Sequence, residues 1–379
     1  MQEEPKKGGS NGAMTMISQD MVRALIENPS EENRERSVMQ LTEVFRSRAV
    51  RGRAATILEE IIRIFAHDAA VRVRKAVSEQ LQHDPDLPHD VALSLAHDVD
   101  DVAIPILRFS RALSDDDLAD IVATEGQKKL LAIANRQTVG ERLSDALIDH
   151  GDAVTVGALF ANRGSAPSEA GMLKAVEKFG DDDRVQSPLS QRAGLPRSVM
   201  TRMIAVVSDH VLKELSGRKD LPKDLAADIV KQAEERVFVQ LSREGDDPEK
   251  LVSDLEEIGR LTPNLAMRAL LGGDIELFEH AVARMSKSNL NAVRALAYDS
   301  GALGIGELCA KMNAPKQLHR VFKAGVATYN GIRAEGGAFD RARFQSRMIE
   351  RILTDFENLG DDLETDDVDA LVGRLRAVG

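Results

Sequence analysis

The chain has 379 residues, 43% of them hydrophobic but only 3% aromatic, and its 62 acidic residues outnumber 50 basic ones to give a formal charge of −12. Enough apolar material is present for a folded core, which excludes wholesale disorder, and the acidic balance disfavours a whole-molecule attraction to nucleic acid or to an anionic membrane. A single cysteine, Cys309, excludes an internal disulfide framework and any multi-cysteine metal site.

The opening stretch MQEEPKKGGSNGAMT lacks the apolar segment of a secretory signal, and no apolar run approaches the roughly 20 residues of a membrane span. Residues 1–16 are expected to form a disordered tail, and the protein is expected to be cytoplasmic with no membrane partner. The apolar residues are mostly Leu, Ala, Val, Ile and Met, a mixture that favours close-packed helices over sheets. Amphipathic runs QDMVRALI, RSVMQLTEVF and AATILEEIIRIF form a helical entry segment within residues 17–66. The densest positive run, SRAVRGR, carries Arg48, Arg51 and Arg53 and is read as a solvated face. Val71, Val73 and Val77 in HDAAVRVRKAVSEQL then mark the first full repeat.

Helix starts recur along the next stretch. Leu87-Pro88, Leu195-Pro196 and Leu221-Pro222 each precede an apolar-periodic run, and Pro is tolerated there because its missing N–H would be unsatisfied at a helix start anyway. Between them, Ser114 ahead of Asp115, Asp116 and Asp117 reads as an N-cap, Thr138 and Glu141 have capping-box spacing, and Pro167 stands near a further start. Successive starts are about 25–29 residues apart, a helical-hairpin period. Aligned on this period, Arg111, Arg136, Arg163 and Arg192 fall in register, each behind a polar residue: Ser110, Asn135, Asn162 and Gln191. A hairpin of this size cannot bury its apolar face alone, so stacking is expected. The predicted organisation is a repeat array over residues 17–220 and a C-terminal all-helical domain over 221–379, in which the helices lengthen. The last predicted elements are a long helix from Arg341 to Leu359, the acidic link GDDLETDD and a short final helix, VDALVGRLRAV.

The pattern HDAAVRVRKAVSEQL…LPHDVALSLAHDVDDVAIPILRFSRALSDDDLADIV resembles HEAT-like repeats, and the run LAMRALLGGDIELFEHAVARMSKSNLNAVRALAYDSGALGIGELCAKMNAPKQLHRVF resembles the C-terminal part of a family of uncharacterised alphaproteobacterial proteins, a domain of unknown function. The resemblance implies an all-α fold, an α-α superhelix in a bacterial cytoplasm, and supplies no functional residues. The period near 27 residues is shorter than that of longer HEAT units, so shorter helices are expected.

Four His-Asp dipeptides, His67-Asp68, His83-Asp84, His89-Asp90 and His97-Asp98, invite a metal-dependent hydrolase reading. His67 and His97 lie at equivalent inter-hairpin positions, however, where His at a helix C-terminus and Asp at the next N-terminus complement the helix dipoles. Caps are the favoured reading, and neither a metal nor a cofactor is expected. Gly301, Gly304 and Gly306 follow a helix rather than a strand and lack the Lys-Ser/Thr of a phosphate loop, and Asp181-Asp182-Asp183 lacks calcium-loop spacing. The arginine column is the candidate partner-binding feature: either a ladder for acidic side chains or phosphates, or a set of caps on helix-end carbonyls. The expected function is a non-enzymatic scaffold or regulator whose partner is another protein. A nucleic-acid-binding HEAT-like protein and a His-Asp hydrolase are the alternatives.

Overall fold

The computed structural model describes residues 27–217, 222–243, 247–299, 303–336 and 339–357. The expected tail at 1–16, the run QDMVRALI, Gly301, the link GDDLETDD and the final helix VDALVGRLRAV lie outside these residues. The described residues are all-helical, with one isolated bridge between Val139 and Ser165. Their contacts divide into two units, one ending at Leu195 and the other beginning at Pro196.

In the first unit, α1 (Glu31–Ser47), α2 (Arg53–Ala66), α3 (Val71–Leu81), α4 (His89–Ala96), α5 (Asp100–Phe109) and α6 (Asp115–Thr124) are followed by α7 (Gln127–Ala134), α8 (Glu141–His150), α9 (Ala153–Ala161), α10 (Glu169–Phe179) and α11 (Asp183–Ser190). The odd-numbered helices form one layer, each packed on the next. On the other side α2 packs on α4, and α6, α8 and α10 stack in turn. The expected helical-hairpin repeat is thus present as a two-layer stack. Its starts follow local chemistry. Ser114 caps α6 and forms a reciprocal capping box with Asp117, Asp152 caps α9, and Ser168 caps α10. The Ser114 hydroxyl and the His89 ring hold the Asp117 carboxyl down to about 2. Thr138 does not act as a cap. Val139 instead pairs its backbone with Gly164 and Ala166, the chain stays extended, and α8 starts behind Gly140.

Side chains at the layer interface are fully enclosed: Val73, Leu95, Ile106, Ile121, Ile133, Leu147, Val156 and Val185 are each at most 1% exposed. Ordering a residue costs about 1–2 kcal/mol of backbone entropy, and enclosing a Val, Leu or Ile returns about 1.5–3 kcal/mol. A hairpin with few such residues therefore depends on apolar surface shared with its neighbours. Helices α9 and α11 approach closely, for a Cβ on Gly157 would stand 2.2 Å from the Arg184 carbonyl oxygen.

The second unit contains α12 (Arg197–Ser216), α13 (Lys223–Arg243), α14 (Pro248–Glu257), α15 (Pro263–Leu271), α16 (Ile275–Ser286), α17 (Leu290–Ala297), α18 (Leu303–Lys311), α19 (Lys316–Ala334) and α20 (Arg341–Glu357). Its boundary falls one helix ahead of the one expected near residue 220, because α12 packs along α13. Helix α15 is central, with every residue from Leu265 to Leu271 buried. Around it Leu255, Phe278, Leu308, Phe322 and Phe344 complete the core. Gly304, singled out with its neighbours in the sequence, serves packing: a Cβ there would meet the Leu296 carbonyl oxygen at 2.1 Å.

The tight α9–α11 contact gives a test of the stack. Gly157→Ala overfills it and is expected to destabilise the protein by about 1–3 kcal/mol in urea unfolding followed by circular dichroism.

Candidate functional site

The four aligned arginines all follow helix C-caps, for Ser110, Asn135, Asn162 and Gln191 cap α5, α7, α9 and α11. Their side chains divide into two pairs. Arg136 donates from Nη1 to the Leu107 carbonyl at 2.5 Å and from Nη2 to the Ser110 carbonyl at 2.7 Å. Arg192 donates to the carbonyls of Phe160 at 3.0 Å, Asn162 at 3.2 Å and Ser165 at 2.8 Å. Both reach back one repeat, to the end of the preceding hairpin's helix rather than that of their own. Burial pushes the pKa of each downward, and Asp115 partly counters this at Arg136. Arg111 and Arg163 are exposed and make no hydrogen bond or ion pair among the described residues. At Arg163 the reason is local: Asn162 makes the backward bonds itself, donating to the carbonyls of Ala134 at 2.9 Å and Arg136 at 2.7 Å.

The His-Asp dipeptides are also taken up between repeats. Asp68 accepts two bonds from Arg34, at 2.8 and 3.0 Å, and a third from the Ala70 N–H at 2.8 Å. One repeat later Asp98 accepts from Arg74 at 2.5 and 2.8 Å and from the Val99 N–H at 2.7 Å. The Arg74 guanidinium holds the Asp98 carboxyl below its ordinary pKa. His67 and His97 stand at the C-caps of α2 and α4, as their spacing suggests. His97 donates to Glu125 at 3.0 Å, His89 donates to Asp117 at 2.9 Å, and Asp90 pairs with Arg63 at 2.8 Å. His83 packs its ring on Phe109, with centroids 4.7 Å apart. Among the described residues no group of three His, Cys, Asp or Glu side chains is placed to hold a metal ion. Cys309 is buried, and burial pushes its thiol up to about 11, away from nucleophilic use.

A polar cluster that sequence reasoning missed lies in the second unit. Buried Glu279 on α16 accepts from Arg294 of α17 and from the Tyr298 hydroxyl, each at 2.7 Å. Burial first, and Glu279 second, push the Tyr298 phenol well above its usual pKa. Its ring lies 5.1 Å from that of Tyr329, which meets Phe339 edge-on at 5.6 Å. These groups line a cleft of about 720 Å³ together with Arg333 and Arg341. Both carboxylate oxygens of Glu279 are thus engaged, one by Arg294 and the other by the Tyr298 hydroxyl. Both tyrosines of the chain are here. In so aromatic-poor a sequence, their presence was the one signal available.

Removing a backward-reaching arginine strands buried carbonyls, whereas removing an exposed one does not. Arg136→Ala is expected to lower stability by about 1–3 kcal/mol, and Arg111→Ala to change it by less than about 0.5 kcal/mol, in parallel urea titrations.

No curated protein and no solved structure matches the chain significantly. One family of uncharacterised proteins conserved in bacteria, DUF2336, has a model that matches residues 102–360, from the second full repeat through most of the second unit. Since the match extends over more than half of the sequence, the chain belongs to this family.

Proposed function

We propose that the protein is a non-enzymatic scaffold or regulator, cytoplasmic and HEAT-like, that binds another protein through the surface of its helical repeats. The observation that carries this reading is the split of the arginine column. Arg136 and Arg192 serve the stack, while Arg111 and Arg163, two repeats apart, are left with guanidinium groups open to solvent. The same two helices expose apolar side chains at their other ends, Val99 at the start of α5 and Val154 at the start of α9. Helices of this length span about 15 Å, so each offers a cation and an apolar contact within the reach of one protein interface. Guanidinium forks suit carboxylates, which points to acidic side chains on the partner.

The alternatives have less support. Nucleic acid would need a continuous basic face to overcome a charge of −12, and the two free arginines supply little of one. A hydrolase would need His and Asp groups that converge, whereas the dipeptides are spread along successive repeat junctions.

The test is affinity purification from the native bacterium with mass spectrometry, on the wild type and on Arg111→Ala/Arg163→Ala. A protein recovered in stoichiometric amount by the wild type is expected to bind the double variant about tenfold more weakly, a change of ~1.4 kcal/mol, with thermal stability unchanged. Equal recovery by both would remove the arginines from the site. Strongly salt-dependent binding to nucleic acid instead would favour the first alternative.

A further inference from the structure

Helices α12 and α13 contain 20 and 21 residues, longer than the 17 of α1, the longest described helix in the first unit. The intervening residues, 217–222, span at most about 20 Å, less than the roughly 30 Å length of either helix. Two helices so joined and packed side by side must run antiparallel. Along α12 the buried residues Thr201 and Ala205 are continued by half-buried Ser208 and Leu212, and at the facing end of α13 Ala226 and Val230 are buried. These rows form the seam between the helices.

One residue before Ser208, Leu212, Ala226 and Val230 stands an apolar side chain that the fold leaves open, whereas Ile204, before Ala205, is half-buried against the core of the unit. Val207 and Val211 on α12 are 49% and 40% exposed, and Leu225 and Ile229 on α13 are 49% and 50% exposed. A step of one residue turns a side chain by about 100° around its helix. Because the helices are antiparallel, the same backward step on both swings the two rows to the same side of the hairpin. Half-buried Met200 and Met203 extend the α12 row toward its N-terminus. The result is a single apolar face across two parallel rows.

We propose that this face pairs with the same face of a second copy of the chain, so that two hairpins close into a four-helix bundle. An antiparallel hairpin with matching rows at i and i+4 spacing is self-complementary, the requirement for an isologous two-fold interface. Two helices about 30 Å long and about 10 Å wide present roughly 600 Å² per copy, or about 1,200 Å² in the pair, which reaches the size of specific stable interfaces. Charge also permits it. The chain as a whole carries −12, but the exposed charges along the hairpin include Lys213, Lys223 and Lys231 beside Glu214, Asp224 and Asp228, so this face does not share the general repulsion between copies. The assembly is independent of any partner bound at Arg111 and Arg163.

Light scattering after size-exclusion chromatography of the full chain at micromolar concentration tests the proposal. The wild type is expected to elute at twice the mass of one chain. Val207→Glu/Ile229→Glu is expected to be monomeric with the wild-type far-ultraviolet circular dichroism. Val154→Glu, which charges an equally exposed valine in the first unit, is expected to remain dimeric. Should the double variant lose helicity, Val211→Ser places no charge on the face and is expected to weaken the dimer about tenfold at full helicity. A monomeric wild type, its face covered by the chain's own terminal residues or by a different protein, overturns the proposal. So does a folded double variant that stays dimeric.

Discussion

A helix of eight to eleven residues leaves about eight backbone groups unsatisfied at its ends, against about eight to fourteen bonded within it. Most helices of the first unit are of this kind. Neither their apolar faces nor their terminal carbonyls can be satisfied within one hairpin, and the structure meets both needs in the same way, by reaching across one repeat. Val73, Ile106 and Ile133 are enclosed, on helices that each pack on the next of their layer. Arg136, Asn162 and Arg192 satisfy the carbonyls left at the ends of α5, α7 and α9. At the opposite ends Arg34 and Arg74 fix the junctions through Asp68 and Asp98. Gln127 and Lys178 do the same around α8, donating to the carbonyls of His150 and Gly151.

This arrangement decides which side chains remain for function. The residues with the strongest chemical associations, histidine and aspartate in repeated pairs, are those the junctions require. At Asp68 and Asp98 the carboxyl pKa is lowered by the arginines that hold them in place, Arg34 and Arg74. What the stack does not use is a set of exposed positions at the ends of its helices, Arg111 and Arg163 among them. In the second unit the longer helices leave an apolar hairpin face, and α16, α17 and α19 gather the chain's two tyrosines around Glu279.

Much of this was legible in the sequence because the repeat imposes it locally. The starts at Leu87-Pro88 and Leu195-Pro196, the Ser114 cap, and the polar-Arg pairs after α5, α7, α9 and α11 depend on neighbours within a few residues, and each lies where its pattern places it. Which arginine turns inward was not legible. It depends on whether a companion has already met the carbonyls, as Asn162 has; Asn135, by contrast, bonds within its own helix to Leu131. Thr138 misled because a backbone pairing between Val139 and Ser165, 26 residues apart, keeps the chain extended. The Glu279 cluster was hidden because its members are brought together only by packing: Glu279 comes from α16, Arg294 and Tyr298 from the end of α17, and Tyr329 from α19.

The reach across one repeat is tested most directly by a double-mutant cycle on Arg74 and Asp98, whose side chains are 17% and 12% exposed. Unfolding free energies of Arg74→Ala, Asp98→Ala and the double variant are expected to give a coupling of about 1–3 kcal/mol that diminishes as pH falls below the ordinary aspartate range. Additivity within about 0.5 kcal/mol would contradict the account, for the junctions would then be held by apolar packing alone.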